Sequence, residues 1–454
     1  MPKFKSVYIC QACSYVNPQW VGQCPNCGEW NTLVETVQES KSGFGGTSKK
    51  PVTVVKPQKL SDVSTKEIER VETDIKEFDR VLGGGFVPGQ VVLIAGTPGV
   101  GKSTLLTQVA NSMHKTKIIY VCGEESVGQV KVRAERMGYK AENLYMISET
   151  NIENVVAGIE DLQRSEKIGL LIVDSIQTQF SEDLTGLPGS VGQVRGSAGK
   201  VISLAKQLGI PTIIVGHVTK EGTIAGPMVL EHMVDTVLYL EGDSQHMFRI
   251  LKTTKNRFGP VSEVGIFEMK DNGLVEVLNP SELFLESGDE QASGSCTTVV
   301  MEGYRPIMFE IQALTVKTAF GYPRRTTSGF NLNRLQVLIA ILEKRCGLNL
   351  SNHDVYVSVS GGYKVSEYSA DLAVCLAIAS SLKDTPVKKG TAAFGECSLS
   401  GRIRPVLQQE RRGKEAKKLG YKNVVSSENV STLRQAVMLN LIGDYAKKTT
   451  NIEE

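Results

Sequence analysis

Gly96-Thr-Pro-Gly-Val-Gly-Lys-Ser103 is the stretch that decides the fold. It reads G-x-x-x-x-G-K-S, the phosphate-binding loop of a nucleoside triphosphatase. Val91-Val-Leu-Ile-Ala95 before it is apolar and β-branched and predicts a buried strand. Thr104-Leu-Leu-Thr-Gln-Val-Ala110 after it predicts a helix. Strand, loop and helix in that order are the context the motif requires. Its glycines let backbone N–H groups crowd around phosphate oxygens, and the helix N-terminus adds the positive end of its dipole. The expected ATP contacts are Gly96, Thr97, Pro98, Gly99, Val100, Gly101, Lys102, Ser103 and Thr104. Lys102 would reach the β- and γ-phosphates, and Ser103 would ligate Mg²⁺.

Further strands follow. Ile118-Ile-Tyr-Val-Cys122 is one, and Leu170-Leu-Ile-Val-Asp174 is another whose terminal carboxylate suits a Mg²⁺ held through water. Ile210-Pro-Thr-Ile-Ile-Val-Gly-His217 is a third that ends on a polar residue. Strands alternating with helices from about Leu60 to Leu285 predict a parallel sheet, and ligands of such sheets gather at the C-terminal strand ends. Glu124 and Glu125 sit at such an end. A carboxylate there orients and deprotonates the water that attacks the γ-phosphate, or forms the acidic first turn of a helix; Glu124 is the expected catalytic residue. His217 is a candidate γ-phosphate sensor that would report to the loop Val218-Thr-Lys-Glu-Gly222, or else a structural histidine.

At 454 residues the chain is too long for a single core, so several domains are expected. A formal net charge of only +2 means that any nucleic-acid contact must rest on local basic patches. No apolar run approaches the length of a membrane span, and the first residues lack the apolar core of a signal peptide. A cytoplasmic setting with reduced cysteines is expected. Nine cysteines occur, four of them as Cys10-x-x-Cys13 and Cys24-x-x-Cys27. Two such pairs in a short window suit tetrahedral Zn²⁺ bound by four thiolates. A segment this small cannot bury a core, so the metal would supply its folding energy. Cys122, Cys296, Cys346, Cys375 and Cys397 are scattered and read as small core residues.

Several motifs together resemble a RecA-type ATPase core: Asp79-Arg-Val-Leu-Gly-Gly-Gly85 with Pro88-Gly89, the phosphate loop, Gly123-Glu-Glu-Ser126 and the strand ending at Asp174. Gly216-His-Val-Thr-Lys-Glu-Gly222, Leu230-Glu-His-Met-Val-Asp235 and Lys255-Asn-Arg-Phe-Gly259 narrow this to a resemblance to the bacterial RadA (Sms) family of DNA repair proteins. The four-cysteine start fits the same family. The resemblance implies a DNA-dependent ATPase of recombinational repair. It also implies a homo-oligomeric, hexameric ring that moves on single-stranded DNA and drives branch migration of branched DNA beside the RecA recombinase; no membrane partner is expected, because no apolar run is long enough to span one. It implies that Lys255 and Arg257 couple ATP state to DNA work. Read from the residues alone, Lys255, Asn256, Arg257, Phe258 and Gly259 suit a phosphate backbone with stacking on Phe258, or a cationic finger into a neighbouring subunit's ATP. Lys220 and Arg195 are further DNA candidates, and the glycines from Gly186 to Gly192 suggest a mobile loop around Arg195.

Beyond a polar stretch at 286–295, the chain mixes strands and helices. Asn333–Lys344 has helical spacing, and Asp354–Ser360 alternates like a strand. With Gly395-Glu-Cys-Ser-Leu-Ser-Gly401, this part resembles the proteolytic domain of the Lon family. Glu367-Tyr-Ser-Ala-Asp371 places Ser369 at that family's nucleophile position, but Glu410 stands where its lysine is expected, and Lys414 lies a helical turn away. A Ser–Lys dyad needs the lysine as base. The domain is therefore expected to be a non-proteolytic scaffold, with Arg402, Arg404, Arg411, Arg412, Lys414, Lys417 and Lys418 as a basic face for DNA.

The fold class expected is α/β: a RecA-like core at 60–285, a zinc module at 1–36 joined by a flexible linker at 37–59, and an α+β Lon-protease-like domain at 296–454 after the linker at 286–295. The rival functions are an ATP-dependent Lon-type protease and a circadian-clock-type regulatory ATPase.

Overall fold

The computed structural model describes residues 3–10, 16–25, 28–30, 32–40, 59, 69–217, 228–242, 248–283, 285, 292–319 and 321–441. Cys13, Cys27 and Lys220 lie outside the described residues. The chain divides into two units, Met1–Glu276 and Val277–Glu454.

The first unit begins with a three-stranded antiparallel sheet. In it β1 (Lys3–Cys10) pairs with both β2 (Val16–Asn17) and β3 (Leu33–Ser40). The larger part of this unit is a nine-stranded sheet. Its strands are β4 (Val91–Gly96), β5 (Ile118–Cys122), β6 (Leu144–Ile147), β7 (Leu170–Asp174), β8 (Thr212–His217), β9 (Thr236–Glu241), β10 (Phe248–Asn256), β11 (Val264–Lys270) and β12 (Gly273–Glu276). Their order is β12-β11-β10-β9-β4-β8-β7-β5-β6. From β9 to β6 every pairing is parallel, while β10, β11 and β12 add antiparallel strands at one edge.

Unbroken aliphatic runs form the central strands because both sheet faces are covered by helices. Along β4, Val92 and Ile94 join one core with Leu105, Leu106 and Val109 of α2 (Lys102–Ser112) and Phe78 of α1 (Lys76–Leu82). Val91 and Leu93 point the other way. They meet Val155 and Ile159 of α4 (Ile152–Ser165) and Val194 and Val201 of α5 (Val191–Leu208). Between α2 and α4, α3 (Val127–Arg136) starts at a capping box in which Ser126 and Gln129 satisfy each other's backbone N–H. The short α6 (Met228–Glu231) precedes β9. Gly192 and Arg195 lie within α5, so the expected loop ends before Arg195, which is exposed on a helix, while Gly186 and Gly189 lie in the turns before it. The glycines there are spaced so that Gln193, Val194, Ser197 and Ala198 form a continuous buried helical face.

The second unit holds a six-stranded mixed sheet ordered β15-β16-β14-β13-β17-β20. Its strands are β13 (Ser295–Glu302), β14 (Arg305–Lys317), β15 (Arg325–Ser328), β16 (His353–Val359), β17 (Thr391–Ala393) and β20 (Asn423–Val425). A two-stranded ribbon, β18 (Glu396–Cys397) and β19 (Ile403–Arg404), lies between the last two in sequence. The helices are α7 (Pro280–Leu283), α8 (Leu332–Cys346), α9 (Asp371–Leu382), α10 (Gln409–Lys418) and α11 (Leu433–Asn440). All residues from Asp371 to Ser380 of α9 are buried, whereas Ala416 of α10 packs with Val299, Met308 and Phe394. Arg412, grouped above with a DNA-facing basic surface, is 1% exposed and bonded inward, so it cannot serve a phosphate backbone. The i, i+4 step from Arg412 to Ala416 puts it on the packed stripe of α10, while Arg411, Lys414, Lys417 and Lys418 stay exposed.

One close approach sets the position of α1. A Cβ at Gly265 on β11 would overlap the main-chain carbonyl of Glu77, whose buried carboxylate accepts the Ile266 N–H at 2.9 Å. Gly265→Ala is expected to lower unfolding stability by about 1–3 kcal/mol through overpacking. Thermal denaturation checks this, and an unchanged midpoint would contradict the tight fit of α1 on β11.

Candidate active site and its relatives

Strand register gathers the first group of residues. Gly96 at the end of β4 stands opposite His217 at the end of β8, and Cys122 at the end of β5 stands opposite Asp174 at the end of β7. The phosphate loop, Glu124, Asp174 and His217 therefore emerge from one edge of the sheet. Gly101, at φ 112°, turns the loop into α2 through a backbone conformation that favours glycine.

Lys102 is almost fully buried, and its ammonium donates to the carbonyls of Gly96 at 2.7 Å and Thr97 at 3.1 Å. Burial pulls its pKa down, and the nearby Asp174 and Glu124 carboxylates oppose that pull. Ser103 donates its hydroxyl to Asp174 Oδ2 at 2.7 Å. Tyr120 on β5 donates to the same oxygen at 2.6 Å, and burial beside that carboxylate raises the phenol well above its usual pKa. Ser103 and Asp174 thus present hard oxygen atoms side by side, the donor set that suits Mg²⁺. From β10, the buried Arg249 donates to the Val100 carbonyl at 3.1 Å and braces the loop from beneath.

Glu124 and Glu125 point to different partners. Glu125 is held by Arg133 of α3, 2.7 Å away. Glu124 accepts from Ser175 and lies 3.3 Å from His217 Nε2, a contact of ion-pair length without good hydrogen-bond alignment. Its pKa falls to about 2, first through His217, with Ser175 and Lys102 helping against the opposing effect of burial. The arrangement holds an anionic carboxylate beside a buried ammonium and a magnesium-type oxygen pair.

The Lys255–Gly259 segment is elsewhere. Asn256 pairs with Thr236, which pairs with Val92 near the start of β4. The segment therefore lies at the opposite end of the sheet from Gly96, about 13 Å along the strand. Lys255 donates to the carbonyls of Glu231 at 2.6 Å and Val234 at 2.8 Å, and burial with the adjacent Arg257 lowers its pKa. Arg257 lies 3.5 Å from the buried Asp235, which also binds Lys206 and accepts the Val91 N–H at 2.9 Å. Asn256 donates to the Leu82 carbonyl and accepts the Phe258 N–H. The Phe258 ring sits under Lys206, and a Cβ at Gly259 would crowd Asn256 and Gly83.

At the N-terminus, Cys10 and Cys24 are both buried in one small cluster with Leu33. Convergence of two thiols from separate C-x-x-C pairs fits a thiolate metal site. In the second unit, Ser369 is 1% exposed and donates to Glu367 at 2.5 Å. The Glu367 carboxylate also accepts two bonds from Arg412, each at 2.7 Å, and the Met301 N–H at 2.8 Å. Glu410 is exposed and paired with Lys414 at 2.6 Å, away from this network.

Sequence reasoning missed Tyr120, Ser175 and Arg249. Tyr120 carried a signal, as the one hydroxyl in the run Ile118–Cys122. Ser175 directly follows the Asp174 strand end. Arg249 carried none, because its role depends on how β10 is placed under the loop.

A family model described as “ATPase: KaiC” matches residues 71–282, and one described as “Rubredoxin metal binding domain” matches residues 8–35. Over 429 residues the chain is 49% identical to DNA repair protein RadA of Bacillus subtilis (strain 168), covering 94% of this chain and 93% of that protein. The RadA protein of Streptococcus pyogenes serotype M1 is likewise 49% identical, over 435 residues, covering 94% of each chain. That of Listeria monocytogenes serovar 1/2a is 46% identical over 452 residues, covering 97% of each. With nearly full-length similarity added to the phosphate loop and the cysteine module, the chain belongs to the bacterial RadA family of DNA repair proteins.

Proposed function

We propose that the chain is a DNA-dependent ATPase of recombinational repair that converts ATP hydrolysis into movement on single-stranded DNA and branch migration alongside RecA. The observation that carries this reading is the cluster of Lys102, Ser103, Asp174, Glu124 and His217 at one sheet edge. Lys102 and the backbone N–H groups of the Gly96–Thr104 loop other than Pro98 bind the triphosphate. Ser103 and Asp174 hold Mg²⁺, which neutralises phosphate charge when bound. Glu124 orients the attacking water, and His217 senses the γ-phosphate from beside it. A carboxylate with a pKa near 2 is a weak proton acceptor, so its contribution is chiefly positioning until the triphosphate's own negative charge raises its basicity.

Lys255 and Arg257 cannot reach this site within their own chain, which supports a role for the Lys255–Gly259 segment at a neighbouring subunit's nucleotide or on DNA. The ring in this reading is hexameric. The Cys10, Cys13, Cys24 and Cys27 thiolates hold structural Zn²⁺, supported by the joint burial of Cys10 and Cys24. The reading of the second unit as a non-proteolytic scaffold is supported by the buried Ser369 hydroxyl, which donates to Glu367, a carboxylate also bonded to Arg412, while Glu410 stands at the expected lysine position and pairs with Lys414. Relatives named for DNA repair, similar over nearly the whole chain, disfavour the clock-type rival.

Lys102→Ala should abolish ATP turnover. Glu124→Gln should keep ATP binding and reduce turnover about 10²–10⁴-fold; near-normal turnover would remove it from the site. With Glu124 ionised far below neutrality, it should add no acid limb to the turnover profile above about pH 4. His217→Ala removes the largest cause of that depression, so any limb should move to higher pH. ATPase rates with and without single-stranded DNA test the coupling.

Mixing Lys102→Ala chains with Arg257→Ala chains should restore part of the activity each lacks, because some interfaces then pair an intact loop with an intact Arg257. Activity no greater than the sum of the separate variants would end the assignment to a neighbouring subunit. In the second unit, casein hydrolysis should be absent from the wild type and from Ser369→Ala alike. Measured hydrolysis that Ser369→Ala removes would reinstate the protease rival.

A further inference from the structure

The chain has only two tryptophans, Trp20 and Trp30, and both are open to solvent on the four-cysteine module, at 56% and 67% exposure. Tryptophan is strongly buried on average, so two exposed indoles in one small module mark a surface with a use. They are also neighbours. A Cβ placed on Gly22 would stand 3.6 Å from the Trp30 ring and 3.9 Å from the Trp20 ring, so both rings converge on a residue that puts no side chain between them. Trp30 is fixed by a bridge to Gln23, and Gln23 donates to the Gly28 carbonyl at 2.8 Å. The Gln23 side chain and backbone thereby tie Trp30 to the chain beside Cys24.

We propose that Trp20 and Trp30 form a stacking platform for a base of single-stranded DNA. This rests on the DNA reading above and assigns a contact to the module beyond structural metal binding. Flat aromatic faces accept any base, so such a platform binds a strand without selecting its sequence. The module itself has few charges: residues 1–36 hold two lysines and two glutamates. Stacking rather than phosphate attraction is thus the chemistry it offers. Phosphate attraction is available in the chain next to it, where residues 37–59 carry five lysines against one glutamate. That balance favours a nucleic acid over an uncharged protein surface as the guest.

Because the two indoles are the only ones in the protein, its tryptophan emission reports on this platform alone. The test uses the full-length protein without nucleotide and a labelled oligothymidylate longer than about 16 nucleotides. Label anisotropy follows binding, and tryptophan emission is read in parallel. Binding should quench the emission. Trp20→Ala or Trp30→Ala should weaken binding about tenfold with an unchanged slope of affinity against salt, because no phosphate contact is removed. The Phe substitutions should recover most of the affinity. Zinc content by elemental analysis shows whether each variant keeps its fold; if one loses zinc, the wild-type quench decides. Saturated oligonucleotide binding with unchanged emission overturns the platform while leaving the DNA reading intact. So does wild-type affinity in a zinc-loaded Ala variant. No anisotropy change at all sinks both.

Discussion

The Asp174 carboxylate is the constraint around which the candidate active site is built. It ends β7, is buried, and receives hydroxyl hydrogens from Ser103 of α2 and Tyr120 of β5 on one oxygen. A buried charge of this kind is costly unless hydrogen-bonded, so these bonds fix where the first turn of α2 sits relative to the sheet edge. That in turn fixes the phosphate loop, whose other side is braced by Arg249 at the Val100 carbonyl. Strand register then brings His217 level with Gly96, and Glu124 meets His217 and Ser175.

Paired acidic residues in this molecule separate by partner. Glu125 is occupied by Arg133 and serves the start of α3, while its neighbour Glu124 faces the cluster. The second unit uses the same logic in reverse. There a carboxylate two residues before Ser369 accepts from a buried guanidinium, a backbone N–H and the serine itself. The serine is thus a donor in a closed network, and Arg412 holds α10 against β13 through Val299 as well.

Much of the fold was legible because parallel strands buried on both faces leave uninterrupted aliphatic runs, as in Val91–Ala95 and Leu170–Val173. The short, half-buried β6 and the antiparallel β10–β12 leave weaker patterns, and none was anticipated. The helix α5 was misread at its start, since Gly192 beside Gly186 and Gly189 suggests a loop until burial of the Gln193–Ala198 face is known. Arg412 was misread because Arg411, Lys414, Lys417 and Lys418 surround it in a run of charge that hides its inward position on α10.

The sequence by itself determined the phosphate loop, the strand ending in Asp174, the paired cysteines and the family to which the chain belongs, because each is a local spacing of residue types. Tertiary structure alone decided that Glu124 rather than Glu125 faces Lys102, that Tyr120 and Arg249 support the loop, and that the Lys255–Gly259 segment lies at the far end of the sheet from it. Those facts depend on which strands lie side by side and in what register, and hydrogen bonds between residues distant in sequence settle both.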